Sequence, residues 1–181
     1  MPSARSHSLQ YDRATIILHW TTVALIAVLW VMGMTIDYWP KGPLRVDYRS
    51  VHIILGVVLG CLLIARLSWR LTGGRILPDD PRPLLAFAAQ AMHWVLYIVV
   101  GLTVALGVVT TWARGDSIFD FFTIPSFAPG ARDLAESLVE WHELAANAVL
   151  VLAGLHAVAA LLHHYVLGDD ILVRMAPKLR R

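Results

Sequence analysis

The chain has 181 residues, of which 57% are hydrophobic and only 15% are charged, and its mean hydropathy is +0.63. This composition excludes an ordinary soluble domain and indicates a membrane protein. We expect no nucleic-acid partner. The single cysteine, Cys61, can form no disulfide within the chain.

Four uncharged intervals, taken in chain order, predict four membrane-spanning helices. The first is too long for the apolar core of a usual signal peptide and is followed by no small-residue cleavage pattern, so we expect it to remain in the mature chain. The second continues past Arg66 and Arg70, whose apolar stems can lie along the helix. The predicted spans cover about 14–36, 50–70, 86–113 and 140–167. We expect an all-α, four-helix membrane bundle that forms one domain over 1–181.

The distribution of lysine and arginine predicts the orientation in the membrane. The two termini and the connection between the second and third spans hold ten of the fifteen, and a bacterial protein concentrates these residues on the cytoplasmic side. We therefore predict a bacterial inner-membrane protein with both termini in the cytoplasm. The ten residues are Arg5, Arg13, Arg66, Arg70, Arg75, Arg82, Arg174, Lys178, Arg180 and Arg181. The connection between the third and fourth spans carries six of the thirteen acidic residues, which suits an external loop.

The chain offers no space for a soluble catalytic domain between its spans. It has no glycine-rich nucleotide-binding sequence, and no connection exceeds about 30 residues. Any chemistry must therefore belong to a cofactor that is held between the helices.

Two histidines of the fourth span indicate what that cofactor is. His142 and His156 lie fourteen residues apart, so on one α-helix they point in nearly the same direction at depths about 21 Å apart. A bilayer core about 30 Å thick has room for two stacked haems at that separation, and neutral imidazole is a standard axial haem ligand. Because the sequence contains no C-x-x-C-H motif, we expect two haems b that are bound without covalent attachment.

The alternating direction of the spans predicts the partners of these two histidines. The second and fourth spans both start on the external side, so His52 and His142 share a depth and form the outer ligand pair. His19 lies near the cytoplasmic start of the first span and pairs with His156. His93, in the cytoplasmic part of the third span, is an alternative partner for His156.

Two further residues are spaced to meet the haems. Gly33 follows His19 by fourteen residues and would give the outer haem a wall without a side chain. Arg66 follows His52 by fourteen residues and would pair with a propionate of the inner haem. An arginine that extends to the lipid headgroups is an equally good interpretation of Arg66.

The cytoplasmic end of the fourth span is the predicted quinone site. His163 lies seven residues after His156, on nearly the same helix face and about 10 Å closer to the cytoplasm. An imidazole at such a position can bind a quinone carbonyl or deliver a proton to it, and His93 is a second candidate for this role. The alternative is that His163 and His164 are simply an interfacial pair.

These residues resemble the bacterial cytochrome b561 family over nearly the whole chain, from Tyr11 to the basic tail. The most specific segments are Ile17-Leu18-His19-Trp20, Val51-His52, Trp141-His142-Glu143, Ala146-Asn147, Gly154-Leu155-His156 and Leu162-His163-His164-Tyr165. The resemblance implies a four-helix di-haem cytochrome with the same two ligand pairs. It is strongest to members that transfer electrons from superoxide to ubiquinone, and so implies an oxidoreductase with these substrates.

A superoxide oxidase needs to attract a small anion to its external side. Lys41, Arg49 and Arg114 are the cationic candidates near that rim, together with Arg45, because a local positive field raises the encounter rate. The alternative is that these residues anchor the protein in the headgroups, and the acidic third connection argues against a broad positive funnel.

Two other classes of protein remain open from the sequence. The family resemblance also includes membrane cytochrome subunits that anchor hydrogenases or formate dehydrogenases, so an electron-relay subunit with a dehydrogenase partner is the main alternative. A histidine-lined metal or proton transporter is the other, and the lack of acidic residues within the spans gives it poor support.

Overall fold

The computed structural model describes residues 10–75, 77 and 82–176, and most of them are helical. Among these residues, four helices are long and apolar enough to cross a membrane. The elements are α1 (Arg13–Thr35) with a 3-10 turn (Ile36–Tyr38), α2 (Pro43–Thr72), α3 (Pro83–Arg114), the strands β1 (Ser117–Ile118) and β2 (Phe122–Thr123), α4 (Arg132–Leu162) with a π-helical turn (His163–Leu167), and α5 (Ile171–Met175). The predicted all-α membrane bundle is confirmed.

Local sequence explains where the long helices begin and end. The carboxylate of Asp12 accepts a hydrogen bond from the Thr15 backbone N–H and caps the start of α1. Proline occupies the first position of α2 and of α3, where its missing N–H costs nothing. Gly115 ends α3 in the left-handed conformation, which glycine adopts without strain.

Two helices begin earlier in the chain than the apolar spans that predicted them. Helix α2 begins at Pro43 and α4 at Arg132, because an apolar interval marks only the hydrocarbon core whereas a helix continues to its cap. The connection between α3 and α4 is therefore only 115–131. Four of its six predicted acidic residues lie instead in α4, and these are Asp133, Glu136, Glu140 and Glu143.

The bundle core is a layer at mid-depth to which every long helix contributes one buried residue: Leu29, Leu59, Val100 and Val149. Helix α3 packs most extensively on α4, and α1 packs on α2. Large apolar side chains on the outward faces are exposed, as expected where lipid replaces water. Val149 lies midway along α4 between His142 and His156, so the apolar layer separates these two histidines.

We call the bundle end with residues 36–42 and 115–131 the outer end and the opposite one the inner end. The inner end contains the start of α1, the connection from α2 to α3, and α5. Helix α5 is tied to α1 there, because the Trp20 indole N–H donates to the Met175 carbonyl at 3.0 Å. The residues Arg5, Lys178, Arg180 and Arg181, which contribute to the predicted orientation, lie outside the described residues.

Candidate haem-binding site

A pair of imidazoles occupies the outer half of the bundle. His52 on α2 and His142 on α4 face each other with ring centroids 6.2 Å apart and planes at 81°. Both side chains are half-buried. The structure thus brings together the two histidines that the sequence assigns to the outer level.

The ring of His142 is oriented by α3. Its Nδ1 is hydrogen-bonded to the Thr103 carbonyl oxygen at 2.9 Å. Because a carbonyl oxygen can only accept, Nδ1 is the donor. The neutral ring then keeps a lone pair on Nε2, which is the arrangement that metal-bound histidines usually show. A Cβ added at Gly107 would lie 3.0 Å from Cε1 of His142, so a residue without a side chain lets the ring pack against α3.

His52 is less well satisfied by the protein. Its Nδ1 is buried and has no hydrogen-bond partner among the described residues, which is costly for an imidazole in a membrane span. A Cβ at Gly33 would meet only Cε1 of His52, at 3.7 Å. Gly33 therefore lies beside the outer pair, at the depth that its spacing from His19 predicts.

The inner half of the bundle holds three imidazoles. His19 on α1 and His156 on α4 have ring centroids 6.5 Å apart with planes at 66°. His93 on α3 lies closer to His156, with centroids 5.3 Å apart and planes at 63°. His156 thus lies next to both of the partners that the sequence leaves open.

A cation contacts this inner cluster. The guanidinium of Arg66 donates to Nδ1 of His19 at 2.8 Å and lies over the ring of Tyr97, 5.5 Å from its centroid. Because a guanidinium can only donate, Nδ1 accepts and the neutral His19 ring carries its proton on Nε2. Binding a metal through Nε2 therefore requires Arg66 to withdraw from Nδ1.

The ring separations test whether the residues suit a haem. Two imidazoles on one metal, with bonds of about 2 Å and a ring radius of about 1.1 Å, place their centroids about 6.3 Å apart. The outer pair (6.2 Å) and the pair of His19 and His156 (6.5 Å) agree with this distance. The separation of His93 from His156, 5.3 Å, is too short. The donor sets therefore fit two bis-histidine haems, with His19 a better partner for His156 than His93.

The predicted cations at the outer rim are largely paired. Arg49 and Arg114 both contact one oxygen of Asp116, at 3.2 and 3.5 Å, and the carboxylate side chain is only 8% exposed. Arg45 pairs with Asp37 at 3.3 Å. Lys41 lies exposed in the turn before α2. The two arginines next to Asp116 thus present a net charge of about one rather than two.

The outer end is also covered by the segment between α3 and α4. Ser50 is completely buried, and its hydroxyl accepts from the Phe119 backbone N–H at 2.8 Å. It also donates to the Val46 carbonyl, 2.8 Å away. Together with the ion pair of Arg49 and Asp116, this contact fastens the paired strands β1 and β2 to α2 two residues before His52.

The inner end carries a second group of polar side chains around His163. Its Nδ1 donates to Asp169 at 2.6 Å, and Arg82 donates to the same carboxylate oxygen at 3.0 Å. His164 is buried and does not share this contact. The predicted quinone residue His163 is therefore held by a carboxylate that the sequence analysis did not single out.

Sequence reasoning missed four residues of this site: Thr103, Gly107, Asp116 and Asp169. Thr103 acts through its carbonyl, so its residue type carries no signal. Gly107 follows Thr103 by one helical turn, so both lie on the face of α3 towards α4. A glycine at this spacing is the sequence feature that could have indicated a close contact with His142. Asp116 and Asp169 closely follow helix ends at glycines, which places them near the ends of neighbouring helices.

An apolar four-helix bundle with histidine pairs in its outer and inner halves is the architecture of a membrane electron-transfer cytochrome. The sequence model of the family described as prokaryotic cytochrome b561 matches residues 10–178. The chain therefore belongs to the prokaryotic cytochrome b561 family, a family of haem b membrane oxidoreductases.

Three similar proteins agree with this assignment. The chain is 33% identical to "Probable superoxide oxidase CybB" of Yersinia pestis, with 94% of this chain and 98% of that protein covered. It is 30% identical to "Cytochrome b561 homolog 1" of Escherichia coli K12, over 93% and 98% of the two chains. It is also 30% identical to "Cytochrome b562" of Cereibacter sphaeroides, over 91% and 94%.

Proposed function

We propose that the protein is a superoxide:ubiquinone oxidoreductase that conducts electrons through two haems b from the external to the cytoplasmic side. The observation that carries this proposal is the presence of two imidazole pairs in opposite halves of one bundle. The ring centroids are 6.2 Å apart within the outer pair and 6.5 Å apart within the inner pair. Two haems held at these sites would form a path for electrons across most of the bilayer.

The four histidines of these pairs are the residues that would hold the haems. His52 and His142 would hold the outer iron, and His19 and His156 the inner one. Haem stores one electron at a potential that its ligands and burial set, so it can accept electrons singly from a radical donor. The hydrogen bond to Thr103 fixes the ring of His142, and Gly33 leaves the space beside His52 free of a side chain.

The outer end is the proposed entry for superoxide, whose oxidation to oxygen releases one electron and needs no proton. Lys41, Arg49 and Arg114 are the proposed attracting charges. Asp116 offsets one of the two arginine charges, so the attraction is modest and local. The name of the Yersinia pestis relative, which describes a probable superoxide oxidase, supports this choice of donor.

The inner end is the proposed site of ubiquinone reduction. A quinone takes up two electrons and two protons. His163 lies about two helical turns beyond His156, so it could serve a quinone near the inner haem. His93 and Arg66 line the inner cluster and are the other proposed contacts. Arg66 would pair with a haem propionate once it leaves His19.

The experiment that tests this function is reduction of the purified protein by enzymatically generated superoxide. We expect the haem b absorption bands to appear rapidly, and then to decay when a short-chain ubiquinone is added. Superoxide dismutase should abolish the reduction. If the haems are reduced at the same rate with the dismutase present, superoxide is not the donor.

A second candidate is an electron-relay subunit that anchors an external dehydrogenase. The pairing of Arg49 and Arg114 with Asp116 favours it, because the outer end then lacks a strong positive field for an anionic donor. Purification without crosslinking distinguishes the two functions. A relay subunit should retain a stoichiometric dehydrogenase partner, whereas the stand-alone enzyme should be isolated alone and react with superoxide.

A further inference from the structure

A compact polar assembly joins three segments at the inner end. The Asp169 carboxylate accepts hydrogen bonds from His163 Nδ1 at 2.6 Å, Arg82 at 3.0 Å and the Ile171 backbone N–H at 3.2 Å. The backbone N–H of Asp169 in turn donates to the His163 carbonyl at 3.1 Å. Asp169 thus connects the end of α4, the start of α3 and the start of α5.

The electrostatics of the assembly define where the His163 proton lies. Burial alone would raise the pKa of Asp169, but the hydrogen bonds from His163, Ile171 and Arg82 hold it below its usual value. The carboxylate is therefore ionised near neutral pH and can only accept hydrogen bonds. His163 must then keep a proton on Nδ1, which makes Nε2 the atom available for exchange.

The backbone brings the carboxylate to the ring. A π-helical turn, His163–Leu167, ends α4, and Gly168 follows with a φ of 69°, so the chain turns back and places Asp169 against the residue that starts the turn. Single π-helical turns occur frequently at functional sites. The His163 side chain is 17% exposed and the Asp169 side chain 25%, so the pair lies at a boundary that water can reach.

Resting on the function proposed above, we propose that Asp169, supported by Arg82, is a positioning residue for proton transfer to the quinone. It holds His163 with its proton on Nδ1 and thereby presents Nε2 as the atom that donates protons at the inner end. An ionised carboxylate on the far side of an imidazole fixes its tautomer and stabilises the imidazolium, as it does for metal-bound and catalytic histidines that donate a hydrogen bond to a carboxylate.

One quinone gains two electrons, which bound haems would supply, and two protons to give one quinol. The His163 imidazolium releases a proton from Nε2 to a quinone oxygen, and the neutral ring regains one from water on the cytoplasmic side. Two such cycles supply both protons, and Asp169 stays ionised throughout.

The test compares the rate at which pre-reduced haems are reoxidised by a short-chain ubiquinone in the complete, haem-loaded protein. Asp169→Asn should slow the maximal rate about tenfold with little change in the quinone concentration at half-maximal rate. His163→Gln should slow it about 100-fold. The slow step should also show an increased solvent deuterium isotope effect in Asp169→Asn, since proton transfer then limits the rate. Haem content and reduction by dithionite should be unchanged.

Asp170→Asn is the matched control, because Asp170 is exposed and its side chain makes no capping hydrogen bond to α5. It should reoxidise at the wild-type rate. The double variant of Asp169→Asn and His163→Gln should be no slower than His163→Gln alone, since both residues act through one proton. Equal rates for Asp169→Asn and Asp170→Asn, or multiplying effects in the double variant, would overturn the proposal and leave Asp169 as a clamp for α5.

Two further outcomes keep the test decisive. If Asp169→Asn does not retain its haems, Asp169→Glu is measured instead. This variant keeps a carboxylate that can pair with Arg82, but the longer side chain shifts the carboxylate relative to His163. Slow reoxidation with normal haem content is then expected, and a wild-type rate would refute the positioning role. If quinone fails to reoxidise even the wild-type haems, the proposed function itself is wrong, and that result is distinct from a failure of the Asp169 variants.

Discussion

The outer pair, His52 and His142, and the inner pair, His19 and His156, have similar ring separations of 6.2 and 6.5 Å but different surroundings. The outer site has two imidazoles, a backbone carbonyl as hydrogen-bond acceptor and glycines beside both rings. The inner site has three imidazoles, a guanidinium in direct contact and a tyrosine ring beneath it. The outer site therefore offers only two candidate ligands among the described residues, whereas the inner site has a third imidazole and a nearby positive charge.

This difference would give the proposed electron transfer a direction. A positive charge close to a haem favours its reduced state, so Arg66 should raise the potential of the inner haem above that of the outer one. Electrons that enter at the outer end would then move to the inner end spontaneously.

The largest expected effect is the loss of one haem from either site. His142→Ala removes a proposed ligand of the outer haem and His156→Ala a proposed ligand of the inner haem. Each variant should therefore bind one haem b, whereas the wild type should bind two. A pyridine haemochrome assay measures the ratio of haem to protein. One haem in the wild type, or retention of two in either variant, would contradict the account of two separate sites.

The spare imidazole of the inner site gives the next test. His19→Ala should lose the inner haem, whereas His93→Ala should retain it, because only His19 lies at the separation that one iron requires. Low-spin bis-histidine signals in electron paramagnetic resonance report which site remains intact. The reverse result would make His93 the partner of His156.

The charge at the inner site should control a potential. Arg66→Gln should lower the midpoint potential of the inner haem by several tens of millivolts and leave that of the outer haem unchanged. The decrease corresponds to about 1 kcal/mol of lost electrostatic stabilisation. Arg70→Gln, on the same helix one turn away, is the control and should give a smaller shift. A redox titration followed by absorbance separates the two haems. Equal shifts of both would show that Arg66 does not act locally.

At the outer end, the ion pairs should set the rate of reduction by an anionic donor. Asp116→Asn should increase the second-order rate with superoxide about two- to threefold, and Arg49→Ala should decrease it by a similar factor. Both variants should change the ionic-strength dependence, because exposed charges are screened by salt. Stopped-flow measurements at two salt concentrations check this. Rates insensitive to both substitutions would mean that the rim charges are only anchors.

The smallest effect concerns how the inner end is fastened. Asp12 caps α1 and also accepts from the Trp69 indole and the Arg75 backbone N–H, at 3.0 and 3.1 Å. Burial alone would raise the pKa of Asp12, but the hydrogen bonds from Thr15, Arg75 and Trp69 hold it below its usual value. Asp12→Ala should reduce stability by about 1 kcal/mol, measured by thermal release of haem.

The pH dependence of this contribution has a defined sign. Because the pKa of Asp12 is lower in the folded state, its stabilisation is complete above the usual pKa of an aspartate, about 3.9, and decreases as the pH falls further. The difference in stability between wild type and Asp12→Ala should therefore be constant near neutral pH and shrink only in acid. A difference that grows in acid would be inconsistent with an ionised cap.

The helices and the depths of the histidines were predictable because both follow from periodicity along one chain. Apolar length defines the spans, and fourteen residues on α4 define two levels, irrespective of neighbouring helices. The contacts of Asp116 and Asp169 were not predictable, since each depends on which helix ends meet across the bundle. For the same reason, the sequence left open whether His19 or His93 lies at the right distance from His156.

The central claim is that electrons enter at the outer haem and leave at the inner end. The most direct test uses vesicles in which the protein has one orientation, with superoxide generated on one side and quinone reduction followed. We predict rapid quinone reduction when superoxide is supplied on the side of the outer end, and very slow reduction from the opposite side or in His142→Ala. Equal rates from both sides, with His142→Ala as fast as wild type, would contradict the claim.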